Sequence, residues 1–94
     1  MDKEEIYTRE LIAVLWKVSK DKTLLNDFLL DLLTPQEYKE LPKRWQIVKL
    51  LAKGMPQREI AKTLNVSIGT ITRGSRELLD ESGGFRKVLK KYYG

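Results

Sequence analysis

The chain has 94 residues, 41% of them hydrophobic, which is enough for one small folded domain. It has neither cysteine nor histidine, so disulfides, the usual zinc sites and catalysis by either residue are excluded. The net charge of +5 is uneven, because residues 1–41 hold 6 basic and 9 acidic side chains whereas residues 42–94 hold 12 and 4. A basic half indicates a polyanionic partner, although a solvated basic face has the same composition.

The first residues are acidic and polar, whereas a signal peptide needs a basic start and then an apolar run. No apolar stretch approaches the length that spans a bilayer. We therefore expect a cytoplasmic protein with no membrane partner.

Two helices are predicted first, over residues 3–18 and 24–33, and both are apolar on more than one face. A helix that is apolar on most sides needs cover on most sides, which so short a chain cannot supply alone. A second copy of the chain is the simplest source of that cover, so we expect a homodimer.

A third helix is predicted from its boundary signals. Thr34 is a suitable N-cap, Pro35 suits the first helical position and Glu37 completes a capping box. Gly54 is expected to cap the C-terminal end. Pro42 lies inside this pattern, where it would either bend the helix or start it afresh.

Residues 57–73 have the pattern of a helix-turn-helix. A short helix over 57–64 precedes a turn at Asn65, and Ser67 caps a second helix that runs to about Asp80. Ala61 is small enough to let two helices cross closely. The apolar wedge between them is predicted to contain Ile60, Leu64, Val66 and Ile71. A final short helix is predicted over residues 85–93.

The second helix of this pair presents small, uncharged side chains, which suit a helix lying in the major groove. Arg58 could reach a guanine edge with both arms of its guanidinium. The alternative is an ordinary helical hairpin, but a small residue, a turn residue, a cap and a wedge together favour DNA binding. The residues expected to contact DNA are Gln57, Arg58, Lys62, Ile68, Gly69, Thr70, Thr72, Ser75 and Arg76.

Several runs of residues resemble the Trp repressor family over about residues 24–80. They are Gln57-Arg58-Glu59, Thr70-Ile71-Thr72-Arg73-Gly74-Ser75, Leu33-Thr34-Pro35 and Lys43-Arg44-Trp45-Gln46-Ile47-Val48. The resemblance implies an all-α, small helical domain over residues 1–94, in an intertwined bacterial homodimer. It would have dimerisation helices at 1–53, a helix-turn-helix at 56–80 and a C-terminal helix at 83–94. It further implies a transcriptional repressor, not an enzyme, that binds a near-palindromic operator in double-stranded DNA.

The resemblance also implies that L-tryptophan is the corepressor, with no other cofactor and no metal. In the family two arginines flank the indole, and they match Arg73 and, from the partner subunit, Arg44. A guanidinium suits this role because it stacks on aromatic faces and grips a carboxylate. A phosphate contact or a salt bridge would explain the same arginines. The ligand-binding residues implied are Leu33, Thr34, Arg44, Thr70, Arg73, Gly74 and Glu77.

The chain departs from the family at three places. Glu77 replaces a serine near the ligand's amino group, Gly69 replaces an alanine on the DNA-reading helix, and the link 54–56 is one residue shorter. Glu77 could pair with an ammonium group, neutralise Arg73 or crowd the pocket. A regulator of the same fold with a different ligand, or with none, therefore stays open. So does an interaction module whose basic face binds a protein or RNA.

Overall fold

The computed structural model describes residues 1–94, which form six α-helices and no strand. The helices are α1 (Lys3–Val18), α2 (Lys22–Leu32), α3 (Pro35–Ala52), α4 (Gln57–Leu64), α5 (Ile68–Leu79) and α6 (Gly84–Tyr93). The all-helical prediction is confirmed. By their internal contacts the residues group into two compact units, 1–38 and 39–94. No helix is both long and apolar enough to cross a membrane.

In the first unit α1 packs on α2, and each helix begins at an aspartate. The Asp2 carboxylate accepts a hydrogen bond from the N–H of Glu5 at 2.8 Å, and Asp21 caps α2 in the same way. Neither helix contains a buried residue. Trp16 is 71% exposed and Ile12 is 60% exposed. The apolar faces expected on these helices are therefore exposed to solvent in the single subunit.

The predicted boundaries of α3 are present. The N–H of Thr34 donates to Glu37 Oε1 at 2.9 Å, and the N–H of Glu37 donates to Thr34 Oγ1 at 3.2 Å, which is the reciprocal capping box. Gly54 follows the helix with φ of 87°, a conformation that glycine adopts without a Cβ penalty. The helix continues through Pro42, so a fresh start at this proline does not occur.

The core of the second unit lies where α3, α4 and α5 meet. Ile47, Ile60 and Ile71, one from each helix, are at most 1% exposed. Half-buried apolar side chains surround them: Leu50, Leu51, Met55, Leu64, Val66 and the small Ala61. This cluster fixes α4 and α5 to the C-terminal half of α3.

Helix α6 is attached to both α3 and α5. The ring of Trp45 lies 6.4 Å from that of Phe85 and 5.6 Å from that of Tyr93, centroid to centroid. The Nε of Arg86 donates to the carbonyl oxygen of Leu78 at 2.6 Å, which satisfies one of the unpaired carbonyls at the end of α5.

Candidate nucleic-acid interface

A three-residue turn joins α4 to α5. Asn65 has φ of 54° and ψ of 52°, a left-handed conformation that asparagine tolerates better than most residues. The N–H of Val66 donates to the carbonyl of Ala61 at 3.1 Å, which closes the end of α4. Ser67 Oγ accepts from the N–H of Thr70 at 3.2 Å and so begins α5. The predicted turn residue and cap therefore both have the expected conformations.

The two helices are separate and pack closely on each other. Ile60 of α4 and Ile71 of α5 are both 0% exposed, and Leu64 and Val66 are half-buried beside them. Ala61 packs against the same cluster. The predicted apolar wedge is thus confirmed in all its members.

Helix α5 has one buried side and one open side. Ile71, Gly74 and Leu78 recur at spacings of three and four and are buried. A Cβ on Gly74 would lie 3.0 Å from Cγ2 of Ile47, so α5 approaches α3 more closely here than a larger residue would allow. The open side begins with Ile68, which is 46% exposed.

None of the nine residues expected to contact DNA is buried. Six are exposed: Arg58, Lys62, Ile68, Gly69, Thr70 and Arg76. Gln57, Thr72 and Ser75 are half-buried. The hydroxyl of Thr72 donates to the carbonyl of Ile68 at 3.0 Å, so its oxygen keeps its capacity to accept. The hydroxyls of Thr70 and Ser67 lie 2.9 Å apart and share one hydrogen bond.

The electrostatics of this surface favour an anion. The first turn of α5 contains no acidic residue, and the positive end of its helix dipole lies beside the exposed Gly69 and Thr70. Arg58 and Lys62 on α4 and Arg76 on α5 are exposed cations in the same unit.

The residues implied as a ligand site have varied surroundings. On α5, Thr70, Arg73 and Glu77 are all exposed at spacings of three and four, so they share a face of this helix. Gly74 is buried against Ile47 and has a packing role in the single subunit. Arg44 is exposed on α3.

The other two members of this set belong to residues 1–38. Leu33 is half-buried, whereas Thr34 is exposed and its hydroxyl already accepts from Glu37 at the start of α3. Hydrogen bonds from the backbone N–H and then the side chain of Thr34 lower the pKa of Glu37.

Sequence reasoning missed Arg86 as a residue that holds the end of α5. Its partner Leu78 lies eight residues earlier, across the break at Gly83 and Gly84, and no periodic pattern crosses such a break. Sequence reasoning also missed the turn at Asp80. The Asp80 carboxylate accepts hydrogen bonds from the hydroxyl and from the backbone N–H of Ser82, and these bonds lower its pKa.

Two short helices that pack around a capped turn, the second with one side buried and one side open, define a small all-helical module. The model of the Trp repressor protein family matches residues 9–93. This chain therefore belongs to the Trp repressor family. The family consists of regulators and not enzymes, which confirms the expectation that the chain is not an enzyme.

Three relatives illustrate the match, each named a Trp operon repressor homolog. The one from Mannheimia succiniciproducens is 49% identical over 70% of this chain and 66% of its own length. The one from Haemophilus influenzae is 39% identical over 81% of this chain and 76% of its own. The one from Chlamydia trachomatis serovar L2 is 35% identical over 96% of both chains.

Proposed function

We propose that this protein is a sequence-specific DNA-binding repressor in which α4 and α5 form a helix-turn-helix. The observation that carries the proposal is the division of α5 into two sides. Ile71, Gly74 and Leu78 fix one side to the core, while the exposed first turn carries only small or uncharged side chains. Such a helix can lie deep in a major groove without a charge mismatch or a steric block.

The cations beside α5 supply the sequence-independent part of the interaction. Lys62 and Arg76 would contact phosphates on either side of the groove, and this positions α5 without specifying bases. Arg58, at the second position of α4, is the side chain suited to a bidentate contact with guanine, worth about 1–3 kcal/mol of discrimination.

The operating form is a homodimer. The exposed apolar side chains of α1 and α2 need cover that one subunit does not supply, and a second copy has the matching faces. A two-fold dimer presents two copies of α5, so the operator is a near-palindrome whose half-sites lie one helical turn apart.

L-tryptophan is the proposed corepressor. Arg73 and Arg44 of the partner subunit would flank the indole, and one guanidinium would hold the carboxylate. Glu77 lies one turn after Arg73 on the same face, where its carboxylate would accept hydrogen bonds from the ammonium group. The ligand acts as a switch only if it binds better to the arrangement of α4 and α5 that fits DNA.

Selection from a pool of random duplexes, with 1 mM L-tryptophan present, tests the proposal. We expect a near-palindromic site, and affinity for it should rise at least about tenfold with ligand, which corresponds to ~1.4 kcal/mol. Thr72→Ala should lower sequence preference, whereas Thr8→Ala, a matched change on α1, should not. Recovery of no preferred sequence would contradict DNA-binding regulation by this chain.

A second candidate is a regulator of the same fold with another ligand, or with none. The exposed Glu77 on the face that carries Arg73 favours it, because a carboxylate there can neutralise the arginine that would otherwise hold the ligand. Equal operator affinity with and without tryptophan, together with no heat of binding up to millimolar ligand, would favour this second candidate.

A further inference from the structure

A cleft of about 610 Å³ lies between the C-terminal end of α3 and helix α6, within residues 39–94. Five of its lining side chains are cations: Lys49, Lys53, Arg86, Lys87 and Lys90. Glu81 is the acidic side chain of the lining. A concave surface with this excess of one sign concentrates a positive potential, which attracts counter-ions and polyanions.

Packing and helix stability explain only part of this charge. Arg86 donates to the carbonyl of Leu78, and Lys87 acts on Asp80 by its charge. Both cations lie in the first turn of α6, where a positive charge opposes the helix dipole. Lys49, Lys53 and Lys90 form no ion pair within the subunit. These three lysines are therefore available to an external anion.

Lys49 and Lys53 lie on a different side of α3 from the residues that face α5. Ile47 and Leu51 face α5, because both would contact a Cβ on Gly74. Lys49 follows Ile47 by two residues, which is about 200° around a helix of 3.6 residues per turn, and Lys53 follows Lys49 by roughly one more turn. The cleft is thus a separate surface from the open side of α5.

We propose that this cleft binds the phosphodiester backbone of duplex DNA, independently of base sequence, as a second DNA contact. Lysine ammonium groups are strong point-charge donors to phosphate, and duplex DNA supplies one charge per about 1.7 Å of helix axis. A polyanion with such close charges can satisfy lysines from both walls at once. No residue of α5 lines the cleft, so its lysines would contact phosphates other than those beside the exposed first turn of α5. The inference rests on the proposed function.

The test compares two triple variants of the full chain that carry the same net charge. One is Lys49→Gln, Lys53→Gln and Lys90→Gln; the control is Lys17→Gln, Lys20→Gln and Lys22→Gln, three exposed lysines of the other unit. Each changes the net charge from +5 to +2. Binding of a random-sequence duplex of about 30 base pairs is measured by fluorescence anisotropy across a series of KCl concentrations.

For the cleft variant we expect the slope of log affinity against log salt to become shallower by about 2.7, since each lost phosphate contact removes about 0.9. The control should change it by less than about 0.9, the value of one contact. Equal slopes for the two triples would overturn the inference. If circular dichroism shows that the cleft triple variant does not fold, the single variants Lys53→Gln and Lys90→Gln are measured instead. Each of them should make the slope shallower by about 0.9.

Failure of the proposed function has a different signature. In that case the wild-type chain selects no preferred sequence from a random pool. The slope comparison uses random duplex only, so it still reports whether the cleft lysines contact phosphate.

Discussion

Gly74 of α5 lies so close to Ile47 of α3 that a Cβ on the glycine would come within 3.0 Å of the isoleucine Cγ2. Leu51 Cδ1 would be the next neighbour, at 3.7 Å. Ile47 is 1% exposed and belongs to the cluster that joins α3, α4 and α5, so it has little room to move aside. The distance between α3 and α5 is thus set by the absence of a side chain at one position.

Gly74→Ala should therefore destabilise the protein by about 1–2 kcal/mol, because strain in the packed core exceeds the gain in helix propensity. Gly69→Ala is the matched control on the same helix, since its Cβ would meet only Ser67 Oγ at 3.9 Å. That change should stabilise by about 0.5–1 kcal/mol. Urea unfolding followed by circular dichroism measures both, and a stabilised Gly74→Ala would show that Ile47 moves freely.

The turn between α4 and α5 depends on the left-handed backbone of Asn65. Asn65→Ala should cost about 1 kcal/mol, because alanine lacks the short polar side chain that lets asparagine tolerate positive φ. Asn65→Gly should change the free energy of unfolding by only a few tenths of a kcal/mol, since glycine enters this region readily. Chemical denaturation of the two variants distinguishes them, and equal losses would mean that the side chain matters more than the φ angle.

At the turn between α4 and α5, local sequence signals predict the helix boundaries. Pro56, Asn65 and Ser67 act within one or two residues of the boundaries they mark, so both ends of α4 and the start of α5 were predicted correctly. Contacts across longer distances left no local signal: the approach of Gly74 to Ile47 and the bond from Arg86 to Leu78 depend on how whole helices pack.

The same difference between local signals and long-range contacts applies to the candidate site. Residue type and helical spacing predicted that Ile71 is buried and that Ile68, Gly69 and Thr70 are open, whereas Thr72, also expected on the open side, is half-buried. The burial of Gly74 and Leu78 was not predicted. The pairing of Arg73 with Arg44 of the partner subunit came only from family resemblance, because no spacing within one chain reports on a contact between two. That pairing, the helix-turn-helix role and the homodimer stay predictions.

Acid should weaken the start of α3. The pKa of Glu37 is lowered by the hydrogen bonds from Thr34, so its ionised form is favoured in the folded chain. A carboxyl group with a lowered folded pKa stabilises above its unfolded pKa, and this stabilisation is lost as the pH falls through the folded value. Glu37→Gln should remove that part of the acid sensitivity while leaving in place the contribution of Asp80, whose pKa is also lowered.

Thermal unfolding between about pH 2 and pH 7 measures the effect of this capping box. Thr34→Ala should cost about 0.5–2 kcal/mol at neutral pH through loss of the N-cap, and should flatten the same acid response. A Glu37→Gln variant whose acid unfolding follows the wild type at every pH would contradict the assignment.

The exposed apolar face of α1 should control association. Trp16 is 71% exposed in the subunit, so Trp16→Glu should leave the helices intact but bury a charge in the proposed dimer interface. We expect sedimentation velocity to show a shift from dimer to monomer at micromolar concentration, with little change in helical circular dichroism. Lys17→Glu, the adjacent exposed position, is the control. A dimer that survives Trp16→Glu unchanged would place the interface elsewhere.

Ligand choice should depend on Glu77, which lies one helical turn beyond Arg73 on the exposed face of α5. If its carboxylate accepts from the ammonium group of tryptophan, Glu77→Gln should weaken L-tryptophan binding about tenfold or more, because an ionic hydrogen bond becomes a neutral one. Indole-3-propionate, which has no ammonium group, should bind the two proteins more equally or favour the glutamine variant. Calorimetry with both ligands gives the comparison. Tighter tryptophan binding by Glu77→Gln would mean instead that the native carboxylate neutralises Arg73. The natural ligand would then be one that does not depend on the full positive charge of Arg73.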